Sequence, residues 1–353
     1  MLKIGIIGLG YWGPNLVRCM DKSNNCKVTA VCDLSDARLK SIEAKFPNVK
    51  LTDDSDELIK GDSVDALVIA TPTKTHYKLA KQALLNGKHV FVEKPLATSS
   101  AECQELIEIA EQRNLTLFVG HVFLHSAPVR KLRELVASGE LGDVYYISSK
   151  RLNLGPVRQD VNALWDLAPH DISVMLDLLG DAPHAVSCCG SSYLNDGVQD
   201  VCNLTLHFAN GKMGIVHVSW IDPRKDRVMT VVGSQKMVVF DDLEPLEKIK
   251  VYDRGVEAPA TSNFGEFQYS YRYGDMYSPR LEQIEPLSSE CEDFVNSILH
   301  GTRSTTDGVN GLRVVEVLEA AAESLRLSGS CVHVKHWTAS SSTKVAQEPV
   351  VAQ

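Results

Sequence analysis

Lys3–Gly8 is a short, almost wholly apolar run rich in isoleucine, and a run without alternation predicts a parallel strand covered on both faces. Glycines follow at once, and Pro14-Asn15-Leu16-Val17-Arg18-Cys19-Met20 reads as a helix with proline in its first turn. Val28–Asp33 is a second strand that ends in an acid. The rhythm repeats through a strand at Val64–Ala70, a helix at Tyr77–Asn86 closed by Gly87, and a strand at Lys88–Glu93. A helix at Ser99–Asn114 and a strand at Leu115–Val119 complete it. Repeated strand–helix units predict a doubly wound parallel sheet whose ligand crevice lies at the carboxyl ends of its strands. Thr71-Pro72-Thr73-Lys74-Thr75-His76 and Glu93-Lys94-Pro95 both fall at such ends.

From about Val122 the pattern changes. Pro128–Ser138 is helical, Leu141-Gly142-Asp143 turns the chain, and Val144–Ser149 is a strand. Val201–Phe208 and Lys212–Trp220 flank Asn210-Gly211, a strong hairpin signal, and Val228–Val232 and Lys236–Phe240 flank Gly233-Ser234-Gln235. The expected fold is α/β: a Rossmann doubly wound parallel sheet over residues 1–122, then an α+β domain over residues 123–336 with an open, mainly antiparallel sheet. Residues 337–353 are polar and serine-rich and read as a disordered tail. Several strands of the second domain carry apolar residues on both faces, Val216, Val218 and Trp220 against Met213 and Ile215. One face covers helices of its own domain. The other calls for a second subunit, giving a homodimer or homotetramer through the sheet, or for cover from the same chain. Asp253–Pro286, with Tyr269, Tyr271, Tyr273 and Tyr277, is too long for a simple connection and reads as an arm or a substrate lid. Gly311–Leu327 has apolar residues at helical spacing.

Composition narrows the class. The 353 residues carry a net charge of −9, with 44% hydrophobic and 23% charged residues, and no basic run. Nucleic acid and anionic membrane are therefore not expected partners. No apolar run reaches the ~20 residues of a membrane helix, and the chain enters a strand at once, with no signal peptide in view. Nine cysteines, mostly in apolar runs and without a C-x-x-C pair, fit reduced thiols and a cytoplasmic location.

The candidate chemistry sits at the strand ends. In Gly8-Leu9-Gly10-Tyr11-Trp12-Gly13, between strand and helix, Gly8 permits a tight turn, Gly10 lets backbone approach a pyrophosphate, and Gly13 lets helix and strand pack closely. Tyr11 and Trp12 belong with these cofactor contacts. Asp33 stands 20 residues beyond Gly13, where an acid reaches the adenosine ribose and favours NAD, while Arg38 leaves room for NADP. Lys94 directly follows a buried strand. It is either a solvated charge or a donor to a substrate hydroxyl. In Trp165-Asp166-Leu167-Ala168-Pro169-His170-Asp171, Pro169 fits the first turn of a helix running Ile172–Leu179, and Asp166 lies close enough to orient His170 as a proton acceptor. A plain N-terminal capping arrangement reads equally well. The remaining histidines show no ligand spacing, so no metal is expected.

Together, Gly8–Gly13, the Thr-Pro loop with His76, Glu93-Lys94-Pro95, Asp166-x-x-x-His170 and Gly311-Leu312-Arg313-Val314-Val315 resemble the Gfo/Idh/MocA family of glucose–fructose oxidoreductase and inositol 2-dehydrogenase. The resemblance runs from Met1 to about Val334. It implies hydride transfer between NAD(P) and a ring carbon of a sugar or cyclitol. Carried over by position, Lys94 binds the reacting hydroxyl, His170 is the acid/base, and Asp166 orients substrate or histidine. Thr71, Pro72, Thr73, His76, Glu93, Lys94 and His121 line the cofactor. Where the family often shows Arg-Tyr-Asn before the proline at 128, this chain has Leu124-His125-Ser126. The variants Gly10–Asn15 and Trp165–Asp171 look most like nucleotide-sugar members, similar to a UDP-N-acetyl-hexosamine or uronate 3-dehydrogenase in surface-polysaccharide pathways. The run Arg151, Asn153, Arg158, Gln159, Asp160 and Asn162 suits a phosphate-bearing sugar, with Arg151 and Asn153 as substrate contacts, although loop polarity alone also explains it. The rival readings are a free-cyclitol dehydrogenase of the inositol type and a non-catalytic NAD(P)-binding sensor or partner module.

Overall fold

The computed structural model describes residues 1–159, 161–257 and 269–337. Its first half alternates β1 (Leu2–Ile7), α1 (Gly13–Asp21), β2 (Cys26–Cys32), α2 (Asp36–Glu43), β3 (Lys50–Thr52), α3 (Ser55–Lys60), β4 (Ala66–Ile69), α4 (His76–Leu85), β5 (His89–Glu93), α5 (Ser100–Gln112) and β6 (Leu117–Gly120). All six strands are parallel, in the order β3-β2-β1-β4-β5-β6. This is the doubly wound order, whose direction of winding reverses between β1 and β4. Every residue of β4 is buried, as the uninterrupted apolar run requires. The short pieces α2, β3 and α3 escaped the sequence reading because β3 is a three-residue edge strand with little apolar signal.

The second half continues with α6 (Ala127–Ala137), β7 (Val144–Leu154), α7 (Ala163–Leu179), β8 (Ala185–Ser191), β9 (Val201–His207), β10 (Met213–Ser219), β11 (Ile221–Gly233), β12 (Met237–Asp241), β13 (Ile249–Glu257), β14 (Ser270–Tyr277), α8 (Pro286–His300), α9 (Gly308–Arg326) and β15 (Val332–His333). The strands form one nine-stranded sheet, β14-β13-β12-β11-β7-β10-β9-β8-β15, in which only β7 and β10 run parallel. Its inner face packs Val216, Val218, Met229, Val231 and Trp220 against α6, α7 and α9. Alternation on β10 turns Met213, Ile215 and His217 to the other face, where they are half-buried.

Three expectations shift. β7 runs five residues beyond Ser149, so Arg151 and Asn153 lie in a strand and not in a loop. α7 begins at Ala163, with Asn162 as its cap, so Pro169 lies inside the helix and not in its first turn. The stretch read as an arm or lid supplies β13 and β14, an antiparallel pair at the sheet edge. The part of it at 258–268, Asp160 and the serine-rich tail beyond Trp337 lie outside the described residues.

The last two helices return to the first sheet. Leu287, Cys291, Phe294 and Val295 of α8 join the core built on β1, β2 and α1, while Leu312 and Val315 of α9 join the core of α4 and α5. Phe294 stands edge-on to Phe91 and Phe118, at 5.6 and 5.5 Å between centroids. The two sheets thus share helices, and the loop at the end of β5 meets α7 through Lys94 and Asp166.

Candidate active site

At the switch point the glycine loop does three separate things. Gly8 has φ +97°, and a Cβ there would stand 2.6 Å from the Ala70 carbonyl oxygen. A Cβ on Gly13 would come within 2.2 Å of the Gly8 carbonyl oxygen, so helix α1 closes on β1 only without one. A Cβ on Gly10 would meet nothing within 4 Å, because that backbone faces an open cleft. The cleft, about 1160 Å³, is lined by Gly8, Gly10, Tyr11, Asp33, Arg38, Thr71, Pro72, Thr75, Lys78 and Arg158. Asp33 also ties the loop to β2. Its carboxylate accepts from the Leu9 N–H (2.6 Å) and the Ser35 N–H (2.8 Å), and Arg38 approaches it to 3.5 Å.

Thr73, His76, Glu93 and His121 were expected to line the cofactor. None of the four is among the residues that line this cleft. His76 is buried with Nε2 2.8 Å from the Thr71 carbonyl oxygen and Nδ1 2.8 Å from that of Pro95, which joins the two loops. Burial holds its pKa below the usual histidine range, so the neutral ring donates to one carbonyl at a time. Glu93 opposes Gly120 across β5 and β6, and a Cβ at 120 would lie 3.0 Å from its Oε2. Burial pushes the Glu93 carboxyl up to about 7, partly offset by Lys94. Burial and the nearby Lys94 push His121 down to about 3, and neither of its ring nitrogens has a partner among the described residues.

Beside this cleft is a cavity of about 430 Å³ lined by Trp12, Asn15, Arg18, Lys94, Phe123, Arg151, Asp166, His170, Arg227, Asp242 and Glu285, among others. Trp12 links it to the glycine loop. Lys94, carried past the end of β5, donates from Nζ to the Asp166 carbonyl oxygen at 2.7 Å and lies 3.9 Å from Asp166 Oδ1. Pro169 lies inside the same helix as Asp166 and has no N–H for the Trp165 carbonyl four residues back. Burial draws the Lys94 ammonium below its ordinary range, against the pull of Asp166 and Glu93.

Asp166 and His170 are one helical turn apart, but the carboxylate does not orient the ring. Asp166 Oδ1 accepts from Arg158 (3.1 Å) and Oδ2 from the Trp220 indole (3.1 Å). Among the described residues His170 Nδ1 is buried without a partner, and the ring rests on Phe123 at 5.0 Å between centroids. Arg151 stacks on the other side of the matter: its guanidinium lies 4.5 Å from the same Phe123 ring, and its Nε donates to Asp171 Oδ2 at 2.7 Å. That pair pins α7 to β7 next to His170. Burial, then Lys94 and Arg151, hold the imidazole well below its usual range, so it is neutral near pH 7.

Lys94, Asp166, His170 and Arg151 therefore meet around one cavity, and Gly8, Gly10, Tyr11, Asp33, Arg38, Thr71 and Pro72 around the adjoining one. Asn153 lines neither, because it lies two residues farther along β7. Sequence reasoning passed over Asp171, although it adjoins His170 in the motif, and it passed over Phe123, Trp220 and Arg227. No local spacing marks these three. Only the fold brings them in.

Residues 2–121 match the model of an oxidoreductase family with an NAD-binding Rossmann fold, and residues 129–239 match the GFO/IDH/MocA C-terminal domain. The chain belongs to the Gfo/Idh/MocA family. A UDP-N-acetylglucosamine 3-dehydrogenase of Acidithiobacillus ferrooxidans is 26% identical over 334 residues, 93% of this chain and 97% of that one. Its solved structure superposes with a TM-score of 0.78 at 25% identity, over 93% and 98% of the two chains. A myo-inositol 2-dehydrogenase of Thermotoga maritima is 24% identical over 92% of this chain and 96% of that one. GenD2 from gentamicin A biosynthesis, solved in complex with NAD, shares the fold with a TM-score of 0.79 at 24% identity, over 95% and 97%. As a Gfo/Idh/MocA member the protein is an NAD-dependent oxidoreductase, and the two dehydrogenases it resembles are named for a sugar and a cyclitol. Its own residues fit the dinucleotide: the open side of Gly10, the Gly13 contact that no side chain tolerates, and Asp33 at the cleft wall.

Proposed function

We propose that this protein oxidises a ring hydroxyl of a nucleotide-linked sugar, C3 of a UDP-linked N-acetylated hexosamine or uronate, with His170 as the base and Lys94 as the group that steadies the oxygen. The cavity that Lys94, Asp166 and His170 share with Trp12 of the glycine loop carries this reading. NAD, when bound, supplies the hydride acceptor. The loop Gly8–Gly13, Asp33, Arg38, Thr71 and Pro72 would hold it, and Asp33 would favour NAD over NADP through repulsion of a 2′-phosphate. The neutral His170 takes the hydroxyl proton. Lys94 donates to the same oxygen as it becomes a carbonyl oxygen and gathers negative charge. Asp166, fixed by Arg158 and Trp220, positions Lys94.

The full-length likeness to the UDP-N-acetylglucosamine 3-dehydrogenase supports the substrate. The inositol dehydrogenase likeness supports a second reading, a free cyclitol. Turnover on a panel of UDP-sugars and inositols separates them. Lys94→Ala and His170→Asn should each lower kcat by roughly 10²- to 10⁴-fold. NADH binding, followed by fluorescence, should be retained in both. Wild-type rates in both variants would end the assignment, and NADH binding with no turnover on any sugar would favour the sensor reading.

The assembly is a homodimer or homotetramer that covers the outer face of the second sheet, supported by half-buried Met213, Ile215, Val232, Met237 and Val239 on that face. A cytoplasmic setting is supported by nine unbridged cysteines. Among the described residues, no helix is long and apolar enough to cross a membrane.

A further inference from the structure

Two guanidinium groups stand side by side at the cavity wall. Arg227 on β11 is the register partner of Arg151 on β7, and both line the cavity that holds Lys94 and His170. Like charges directly opposite each other across a ladder repel, so such a pair needs compensation. Arg151 has it in Asp171, at 2.7 and 3.3 Å. Arg227 is held less closely: its ion-pair partner is Asp242, with Oδ2 at 3.7 Å, and among the described residues its buried Nε has no hydrogen-bond partner. Asp242 is in turn shared with Lys248, 3.5 Å away. Asp166 is likewise shared between Lys94 and Arg158.

On this wall, therefore, the three cations Arg151, Arg227 and Lys248 meet the two carboxylates Asp171 and Asp242. Arg18 and Glu285 at the rim cancel each other in a two-pronged pair. A positive surplus in a chain of net charge −9, together with a buried donor left without a partner, costs stability unless something else meets it.

We propose that Arg227, beside Arg151, binds an anionic oxygen group of the substrate, a carboxylate or a phosphate, within one sugar ring of the reacting hydroxyl. This rests on the sugar-dehydrogenase reading and adds a charge requirement to it. The dinucleotide's own phosphates do not account for the surplus, because Arg151, Arg227 and Asp242 do not line the cofactor cleft. A planar fork matches a carboxylate or phosphate in two-pronged fashion. A neutral cyclitol would leave the fork unanswered. The bound anion would also offset the cations that hold His170 low, and so make the base stronger when the substrate is in place.

The test uses four ligands with the full chain. UDP-N-acetylglucosaminuronate carries both groups, UDP-N-acetylglucosamine only phosphates, glucuronate only a carboxylate, and myo-inositol neither. kcat/KM is measured for wild type, Arg227→Met and Arg227→Lys, with calorimetric binding of each ligand to the NADH complex and melting temperature as a fold check. Arg227→Met should lower kcat/KM or affinity roughly 10- to 100-fold for the ligands that carry the held group, with a smaller change for myo-inositol. Arg227→Lys should recover part of the loss. A deficit on the two uronates assigns the carboxylate, and one on the two UDP-sugars assigns the phosphate. An equal loss on all four, no loss on any, or no binding of any charged ligand to wild type overturns the proposal. If nothing turns over while charged ligands still bind through Arg227, the dehydrogenase reading fails and the anion site stands.

Discussion

His170 and Lys94 are needed in opposite protonation states, and their surroundings set the window in which both hold. Burial and neighbouring cations keep the His170 imidazole below its ordinary 6.5, and burial keeps Lys94 below its ordinary 10.5. A base is lost as pH falls through its pKa, and an ammonium is lost as pH rises through its own. The profile of kcat/KM should therefore be bell-shaped, its acid limb below pH 6.5 and its alkaline limb below pH 10.5. An acid limb centred above 6.5 that survives in Lys94→Ala would assign the base elsewhere. The glycines separate in a comparable way. Gly10→Ala adds a methyl group that meets nothing in the protein, so melting temperature should hold while NAD affinity falls about tenfold or more. Gly13→Ala forces a carbon to 2.2 Å from a carbonyl oxygen and should lower melting temperature as well. Equal melting temperatures for the two variants would refute this division of roles.

At the scale of elements, the site depends on two helices that come late in the chain. α7 carries Asp166, His170 and Asp171, and Lys94 donates to its Asp166 carbonyl. α8 begins at the rim of the cavity, where Arg18 of α1 grips Glu285, and plugs Phe294 into the first sheet against Phe91 and Phe118. Phe294→Ala would leave a cavity at that junction and should cost roughly 3–5 kcal/mol, read from the urea midpoint. Turnover per folded molecule should also drop, since α8 forms part of the cavity rim. A variant as stable as wild type would show that α8 is only loosely docked.

For the whole molecule, the expected partner is a second copy. Analytical ultracentrifugation should find a dimer or tetramer at micromolar concentration. Ile215→Asp together with Val239→Asp on the outer face should shift it to monomer. A wild-type monomer would mean that this face is free or answers to another partner.

Most strands and helices of the first half, the glycine turn between β1 and α1, and the place of Lys94 just past β5 were legible from the sequence. These rest on local physics: apolar periodicity, glycine conformation, and a strand–turn–helix spacing of a few residues. The start of α7 was misread because a proline is a good helix-start signal, and only packing against the second sheet sustains a helix through it. The partners of Asp166 and His170 were also out of reach. Arg158, Trp220, Phe123 and Arg227 are brought in by strand register and by helix docking across 8 to 57 positions, where no local pattern survives. The sequence by itself set which residues could do chemistry at the strand ends. The tertiary structure decided which charges they face, because a pairing between distant elements is fixed only when the sheet and its helices close around a common cavity.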